Sequence, residues 1–399
     1  MTAPAATLPL DATAPVHPPH APLTAHVFRH LKDAETTWRA LETVAVTSPY
    51  QRFDWIAAYL DAGFEKHAAI RIVALYAGDV TIALLPLTVK SRMGASIAQI
   101  IGMPISNMDG LVFDPAYRDR LTPDAIMIML NAVGQSGIEI DLAAFHCVVE
   151  NWGGYDNPLM ALPHAVAPNR LYFEPLHPSD GEEGHRLPKR RRKNIRYSYR
   201  KLESEFGPLR LKRADTAQDV LEIESQFLAQ RTRRFAQMGV DNIFAQPAFR
   251  KFFTRLASDQ VGNGCPALAF HALYAGETLV ATAVGAYANT HYSHYMNSTT
   301  DGDASRYSII GVMLTLLVDE LRAQGIESFD IGLGDFDYKT EWSTPQTVYD
   351  CLLPLNARGR LAAPALFAAR ALKRTIKQTP ALWRAARAAQ SRLSAMRRT

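Results

Sequence analysis

The chain has 399 residues, of which 48% are hydrophobic and 21% charged, so it is long enough for two or three domains with ordinary cores. Its longest apolar run, residues 309–318, is much shorter than the roughly 20 residues that a membrane-spanning helix needs. We find no secretory signal pattern, and the three cysteines have neither zinc-site spacing nor an even count for disulfides. We therefore expect a cytoplasmic protein without a metal site.

The charge is distributed unevenly along the chain. Residues 360–399 contain ten Lys or Arg and no Asp or Glu, which leaves 33 basic and 39 acidic residues before them, a net charge of −6. The body of the protein therefore gives little support for general nucleic-acid binding, with a tRNA as the exception considered below.

The first part of the chain predicts a leader and one α/β unit. Residues 1–25 hold six prolines, one charged residue and no periodic pattern, so we predict disorder there. The stretch 74–83 (ALYAGDVTIA) indicates a β-hairpin around an Ala-Gly-Asp turn. A helical pattern follows at 123–133, and Gly-Ile-Glu at 137–139 precedes a strand. We assign this first unit to residues 26–180.

A basic helix is predicted between the two halves of the chain, within residues 181–206. Ile195, Tyr199, Leu202 and Phe206 form one apolar stripe of a helix that ends before Gly207. Eight of the thirteen residues 189–201 are basic. A solvated linker helix is one interpretation, and contact with a phosphorylated donor or an anionic membrane is the other.

The second unit, residues 207–357, repeats the order of the first. Two helical segments precede the stretch 272–281 (ALYAGETLVA), which is a second copy of the hairpin sequence. A strand at 288–297, a helix at 309–322, and Gly-Ile-Glu at 325–327 before a further strand complete the match. Two matches in the same order predict two copies of one α/β unit.

The tail, residues 358–399, is predicted to be helical and basic, with scattered apolar residues and a break at Pro380. A basic amphipathic helix can lie on an anionic membrane, which would place the protein at the inner membrane surface. Packing against the acidic body is the alternative.

The end of the second unit carries a family resemblance. The stretch 329–342 (FDIGLGDFDYKTEW) resembles the bacterial cellulose-biosynthesis-associated acetyltransferases of the CelD/BcsL type, whose signature is matched by seven residues: Asp330, Gly332, Gly334, Asp335, Tyr338, Lys339 and Trp342. These are tandem GNAT (Gcn5-related N-acetyltransferase) proteins related to the FemAB peptidyltransferases. The resemblance implies two tandem GNAT-like units of mixed sheet and helices, followed by the helical tail.

The resemblance also implies acetyl-CoA or another acyl-CoA as co-substrate. GNAT enzymes hold its pyrophosphate on the amides of a helix start, where the helix dipole favours an anion. The corresponding residues here are Arg306, Tyr307, Ser308, Ile310 and Gly311. Ile309 replaces a glycine of the family pattern, so a plain helix start capped by Ser308 remains an alternative.

Three residues after the strand 328–333 are candidates for the chemistry. Asp335 is the candidate base for the attacking amine, Tyr338 the candidate acid for the thiolate, and Lys339 a candidate for holding a phosphate or carboxylate. The alternative is a tight glycine loop in which Asp335 caps its own backbone.

Five further residues are candidates for acceptor binding. They are Arg231 and Arg234 on a predicted helix, and His294, Tyr295 and Asn297 on a predicted strand. Regular alternation would place His294 with Tyr292 and Met296, and Tyr295 with Ser293 and Asn297. A core position for His294 and a solvated helix face for the arginines are the alternatives.

The leading functional hypothesis is an acyltransferase that moves an acyl group from acyl-CoA to an amine or hydroxyl of a small molecule or surface-polysaccharide precursor. No nucleophile motif indicates a covalent intermediate, so the acceptor would attack directly. One alternative is a FemAB-like transferase that uses aminoacyl-tRNA. The other is a GNAT-like accessory protein of exopolysaccharide assembly without catalysis.

Overall fold

The computed structural model describes residues 21–92, 94–177, 187–237, 242–334, 337–379 and 381–386. Its strands are β1 (Leu23–Phe28), β2 (Ile70–Ala77), β3 (Val80–Arg92), β4 (Ala95–Ile100), β5 (Val112–Phe113), β6 (Leu142–Val148), β7 (Asn151–Trp152), β8 (Tyr155–Asp156), β9 (His164–Pro175), β10 (Leu209–Arg213), β11 (Ala269–Ala275), β12 (Thr278–Ala288), β13 (His291–Thr299), β14 (Ser328–Leu333) and β15 (Thr344–Pro354). Its helices are α1 (Leu31–Glu42), α2 (Phe53–Asp61), α3 (Pro123–Gln135), α4 (Lys189–Phe206), α5 (Ala217–Gln237), α6 (Pro247–Asp259), α7 (Ile309–Ala323), α8 (Asp337–Trp342) and α9 (Ala357–Gln378).

The two repeated sequences form two equivalent hairpins. β2 and β3 are antiparallel and their register slips between Leu75 and Tyr76, and β11 and β12 slip at the same sequence position. Gly78 and Gly276 occupy the turns with φ of 62° and 57°, a left-handed conformation that favours glycine. The internal repeat is therefore confirmed down to the position of the bulge.

One mixed sheet runs through both units. Its strand order is β1-β2-β3-β4-β6-β15-β9-β14-β13-β12-β11-β10, with β5 beside β3. The pairs β4–β6 and β13–β14 are parallel, and the other neighbours are antiparallel. The first half of the order therefore mirrors the second, which confirms the α/β class and the two tandem GNAT-like units.

The two units exchange their last strands at the centre of this sheet. β9 comes from the first half of the chain but pairs with β14 of the second unit, and β15 comes from the second half but pairs with β6 of the first. β9 and β15 also pair with each other. The sequence predicts these strands but not their partners, because the alternation of side chains reports which face is buried and nothing about the neighbouring strand.

Helices cover both faces of the sheet. α1, α2, α5 and α6 share one hydrophobic core that joins the two units, in which Trp55 packs edge-to-face on Phe252 with ring centroids 4.9 Å apart. On the opposite face α3 covers the first unit and α7 the second. The predicted basic helix is α4, and its buried Ile195 and Leu202 belong to the same cluster as α7.

The two ends of the described chain are both packed on the body. β1 pairs with β2 from Leu23 onward, so the last residues of the range predicted as leader are strand, and residues 1–20 lie outside the described parts. α9 lies against β9, β15, β6 and β4. Its Arg370 forms a bidentate ion pair with the buried Asp350. Among the helices that the structure describes, none is long and apolar enough to cross a membrane.

Candidate active site

The parallel strands β13 and β14 separate at their carboxyl ends. They are paired at only three positions, from His291–Ser328 to Ser293–Asp330, and β13 then continues to Thr299 without this neighbour. On its other side β13 slips against β12 beside Gly285, which leaves Tyr295 as an extra, bulged residue. The bulge turns β13 away from β14 and opens a gap between the two strands.

The bulge corrects the predicted pairing of side chains along β13. Asn297 Nδ2 lies 2.9 Å from His294 Nε2, so these two residues share a face. Tyr295 lies on the other face, where its hydroxyl donates to the carbonyl of Ile105 at 2.5 Å and its ring packs against Trp55. The prediction that Tyr295 and Asn297 share a face was wrong because an extra residue reverses the alternation beyond it.

A short hydrogen-bonded chain of side chains lies on the carboxyl-terminal part of β13. Tyr338 of α8 is hydrogen-bonded to Asn297, and burial raises the pKa of its phenol. Burial and the nearby Lys339 charge lower the pKa of His294 to about 4, so this imidazole is neutral at pH 7. Since Nε2 accepts from the Asn297 amide, the ring proton is on Nδ1, which has no hydrogen-bond partner among the described residues.

Lys339 holds the loop that follows β14. Its side chain is buried, and Nζ donates to the carbonyl of Leu333 at 2.8 Å and to that of Gly332 at 3.3 Å. The ammonium group also lies 5.7 Å from the centre of the Tyr172 ring on β9. These contacts show Lys339 stabilising the glycine loop. The predicted base Asp335 lies outside the described residues, so the structure does not place it.

The two predicted acceptor-binding arginines differ in their surroundings. Arg231 donates to the carbonyl of Asn297 at 3.0 Å, and its guanidinium lies over the Phe244 ring at 4.5 Å. Burial lowers the pKa of Arg231 to about 10. Arg234 is exposed, and its charge acts on the Tyr338 phenol. Arg231 therefore connects α5 to β13 beside the gap, while Arg234 faces solvent.

The predicted donor loop lies at the start of α7, against α4. Arg306 and Tyr307 both donate to the carboxylate of Glu205 on α4, at 2.5 and 2.7 Å. The amide of Ser308 donates to Ser198 Oγ at 3.0 Å. The amides of Ile310 and Gly311 are in the first helical turn, where an α-helix offers no internal acceptor.

A buried polar network joins the two units beside the gap. Asp330 accepts from Ser293 Oγ at 3.0 Å, from the Gly332 amide at 2.6 Å and from His291 Nε2 at 2.8 Å. Tyr50 of the first unit lies 2.7 Å from Ser293 Oγ. The sequence identified Asp330 and Gly332 as parts of a motif but missed Tyr50 and His291, because only the tertiary structure brings them together.

A mixed sheet whose adjacent parallel strands diverge at a bulge, with a helix starting after the first of them, is the arrangement of a GNAT-type fold. A family model described as an acetyltransferase (GNAT) domain matches residues 189–340, less than half of the chain. The match therefore assigns residues 189–340 to an acetyltransferase (GNAT) domain, which supports an acyltransferase. The domain implies an acyl-CoA co-substrate. Among the described residues, no group of three or more His, Cys, Asp or Glu could hold a metal ion.

Three solved structures show the same overall fold. The chain is similar to FemX (11% identity, TM-score 0.55, 82% of this chain and 96% of the other). It is also similar to the C-terminal domain of a protein described as a lysylphosphatidylglycerol synthetase from Agrobacterium fabrum (12%, 0.51, 86% and 96%). A conserved protein of unknown function from Bacteroides thetaiotaomicron matches as well (10%, 0.50, 82% and 97%). No curated protein matches the sequence.

Proposed function

We propose that this protein transfers an acyl group from acyl-CoA to an amine by direct attack in the gap between β13 and β14. The observation that carries the proposal is the series of hydrogen-bonded side chains from Tyr338 through Asn297 to His294. It ends on the buried Nδ1–H of His294, which has no hydrogen-bond partner among the described residues. A buried donor without an acceptor is costly unless a ligand supplies one. We assign the thioester carbonyl oxygen as that acceptor.

The start of α7 is the proposed anchor for the pyrophosphate of the donor. The amides of Ile310 and Gly311 and the positive end of the helix dipole favour an anion. Arg306 adds a cation that is held beside them by Glu205. The Ser308 amide already donates to Ser198 Oγ and is not free for the pyrophosphate. The proposed anion site is therefore narrower than a full glycine loop.

The proposed roles of the side chains follow from their protonation. The acceptor amine attacks the thioester carbon, a C–N bond forms and the C–S bond breaks. The neutral His294 donates from Nδ1 to the carbonyl oxygen as negative charge develops there. Tyr338, kept protonated by burial, gives its proton to the leaving thiolate. Asp335 keeps its predicted role as the base that receives the amine proton.

A surface-polysaccharide precursor is the acceptor class that we propose within this function. Its support is the sequence 329–342, in which the Asp-x-Gly-x-Gly-Asp and Tyr-Lys positions match the cellulose-biosynthesis-associated type. The structure gives those glycines a physical role, since Gly332 has a φ of 70° and lies against Asn107 of the first unit.

A second candidate is an aminoacyl-tRNA donor, and the packing of α4 favours it. Ile195 of α4 lies so close to Gly311 that an added Cβ would come within 2.8 Å of it. The basic residues at the start of α4 are largely exposed beside this narrowed loop, with Arg191 paired to Glu341 of α8. Such a surface suits a phosphate backbone.

Calorimetric titration with acetyl-CoA tests the donor, using two variants of one residue. Ile310→Pro removes a single amide donor from the first helical turn, where proline is tolerated, and Ile310→Ala keeps that amide. We expect wild type and Ile310→Ala to bind, and Ile310→Pro to bind about tenfold more weakly, which corresponds to about 1.4 kcal/mol. Thermal unfolding of each variant checks that it folds.

The same proteins distinguish the two donors. If acyl-CoA is the donor, the two Ile310 variants should not differ in their affinity for aminoacylated tRNA, measured by filter binding. If wild type binds no acyl-CoA but binds aminoacyl-tRNA, the proposed donor is wrong and the second candidate replaces it.

A further inference from the structure

A cavity of about 780 Å³ lies between the two units, at the amino-terminal ends of β13 and β14. The second unit lines it with the β12–β13 turn and the first residues of β14, and β9 and β15 contribute one side. The first unit contributes residues 44–47 and 150–155. This is the end of the parallel strand pair opposite to the donor gap.

The lining of this cavity combines aromatic rings, amides and carboxylates. The residues that line it include the aromatic Trp152, Phe173 and Tyr349 and the acidic Glu150 and Glu327. Among the described residues that line it there is no Lys or Arg. A ligand with a negative charge would therefore find no lysine or arginine partner among these residues, whereas a protonated amine would find carboxylates and aromatic rings.

We propose that this cavity is a second ligand site, which binds a small amine-bearing polyol of the amino-sugar class. Aromatic rings pack on the apolar face of a sugar ring, amide groups satisfy its hydroxyls, and a carboxylate binds its ammonium group. The proposal goes beyond the donor chemistry, because it assigns a ligand to a different part of the molecule.

The binding groups are held in place before any ligand arrives. Tyr349 donates its hydroxyl proton to Glu150 at 2.8 Å, and Thr290 donates to Glu327 at 2.8 Å. The indole N–H of Trp152 donates to the carbonyl of Thr47 at 3.0 Å. Side chains fixed in this way lose little conformational freedom when a ligand binds, which favours affinity.

The floor of the cavity is connected to the donor gap through one carboxylate. His291 lines the cavity and is bonded to Asp330 Oδ2, while Asp330 Oδ1 accepts from the Gly332 amide. The carbonyl of Gly332 in turn accepts from Lys339. A ligand on His291 therefore contacts the same network that holds the glycine loop at the donor gap.

Ligand-observed saturation-transfer NMR, without any acyl donor, tests the site with three probes. Glucosamine carries the amine, N-acetylglucosamine is uncharged and glucuronate carries a negative charge. We expect glucosamine to bind best and glucuronate not at all. The double variant Glu150→Gln, Glu327→Gln should weaken glucosamine binding about tenfold, since it removes both charges and keeps the shapes.

Two control proteins keep the result interpretable. The double variant Glu203→Gln, Glu277→Gln removes two exposed carboxylates that do not line the cavity, and it should bind glucosamine like wild type. Tyr338→Phe should also bind normally, so a failed acyl transfer leaves this test intact. The assignment is overturned if no probe binds wild type, if glucuronate binds as well as glucosamine, or if the cavity variant keeps full affinity.

Discussion

The most quantitative prediction concerns Asp109. This acid is buried near the centre of the sheet, where the two units exchange strands. Its side chain is 3% exposed, and Oδ2 accepts the backbone amide of His146 at 2.6 Å. Burial raises the pKa of this carboxyl to about 7. Asp109→Asn removes the titration but keeps a carbonyl oxygen that can accept the same hydrogen bond.

The direction and size of the effect follow from linkage. A folded-state pKa above the unfolded value means that the folded protein binds the proton more tightly, so this contribution to stability is present at low pH and is lost as pH rises through 7. With an unfolded pKa of about 3.9, the raised pKa of this carboxyl contributes about 3 kcal/mol less to the free energy of unfolding at pH 8 than at pH 5.

Urea unfolding at pH 5 and pH 8, followed by tryptophan fluorescence, measures this difference. Relative to wild type, the free energy of unfolding of Asp109→Asn should rise by about 3 kcal/mol on going from pH 5 to pH 8. Asp79→Asn, an exposed acid in the β2–β3 turn, serves as the matched control and should parallel wild type. If Asp109→Asn also parallels wild type, the burial argument for the raised pKa is wrong.

Three further predictions follow from the described contacts. Arg370→Met leaves the buried Asp350 without its ion pair, so the free energy of unfolding should fall by about 3–5 kcal/mol in urea titrations, and a loss below about 1 kcal/mol would contradict this. Tyr338→Phe should lower kcat by about 10²-fold or more with little change in acetyl-CoA affinity, and an unchanged kcat in thiol-release assays would remove Tyr338 as the acid. Leu361 and Leu372 of α9 are exposed among basic residues, so we propose that α9 contacts an anionic bilayer. Changing both leucines to Glu should reduce pelleting of the protein with anionic vesicles. Equal pelleting of the variant and wild type would refute this contact.

Much of the fold could be predicted from periodicity and repetition. The basic helix predicted within residues 181–206 is α4, and the second-unit helix predicted at 309–322 is α7. Local patterns suffice for these elements because each apolar stripe faces a core directly. The exchange of β9 and β15 could not be predicted, since pairing between strands more than 150 residues apart leaves no local pattern.

The candidate site was predictable only where its residues are adjacent in sequence. Tyr338 and Lys339 follow β14 in a recognisable motif. Lys339 is hydrogen-bonded to the glycine loop, and Tyr338 is hydrogen-bonded to Asn297 of β13. The link from Asn297 to His294 depends on the bulge at Tyr295, which is created by the register with β12 and has no sequence signature in β13 itself. Local alternation therefore assigned the wrong partner.

Asp330 explains why the motif at the end of β14 begins with an aspartate and requires a glycine two residues later. Its carboxylate binds Ser293 on the neighbouring strand, His291 at the cavity and the Gly332 amide in its own loop. Gly332 has a φ of 70°, so its amide can turn back toward Oδ1 at a position where other residues would be strained. The first aspartate of the motif thus fixes the geometry of the gap, and the proposed chemistry is left to His294, Asp335 and Tyr338. By this argument Asp330→Asn should perturb both the donor gap and the cavity, whereas Tyr338→Phe should affect the donor gap alone.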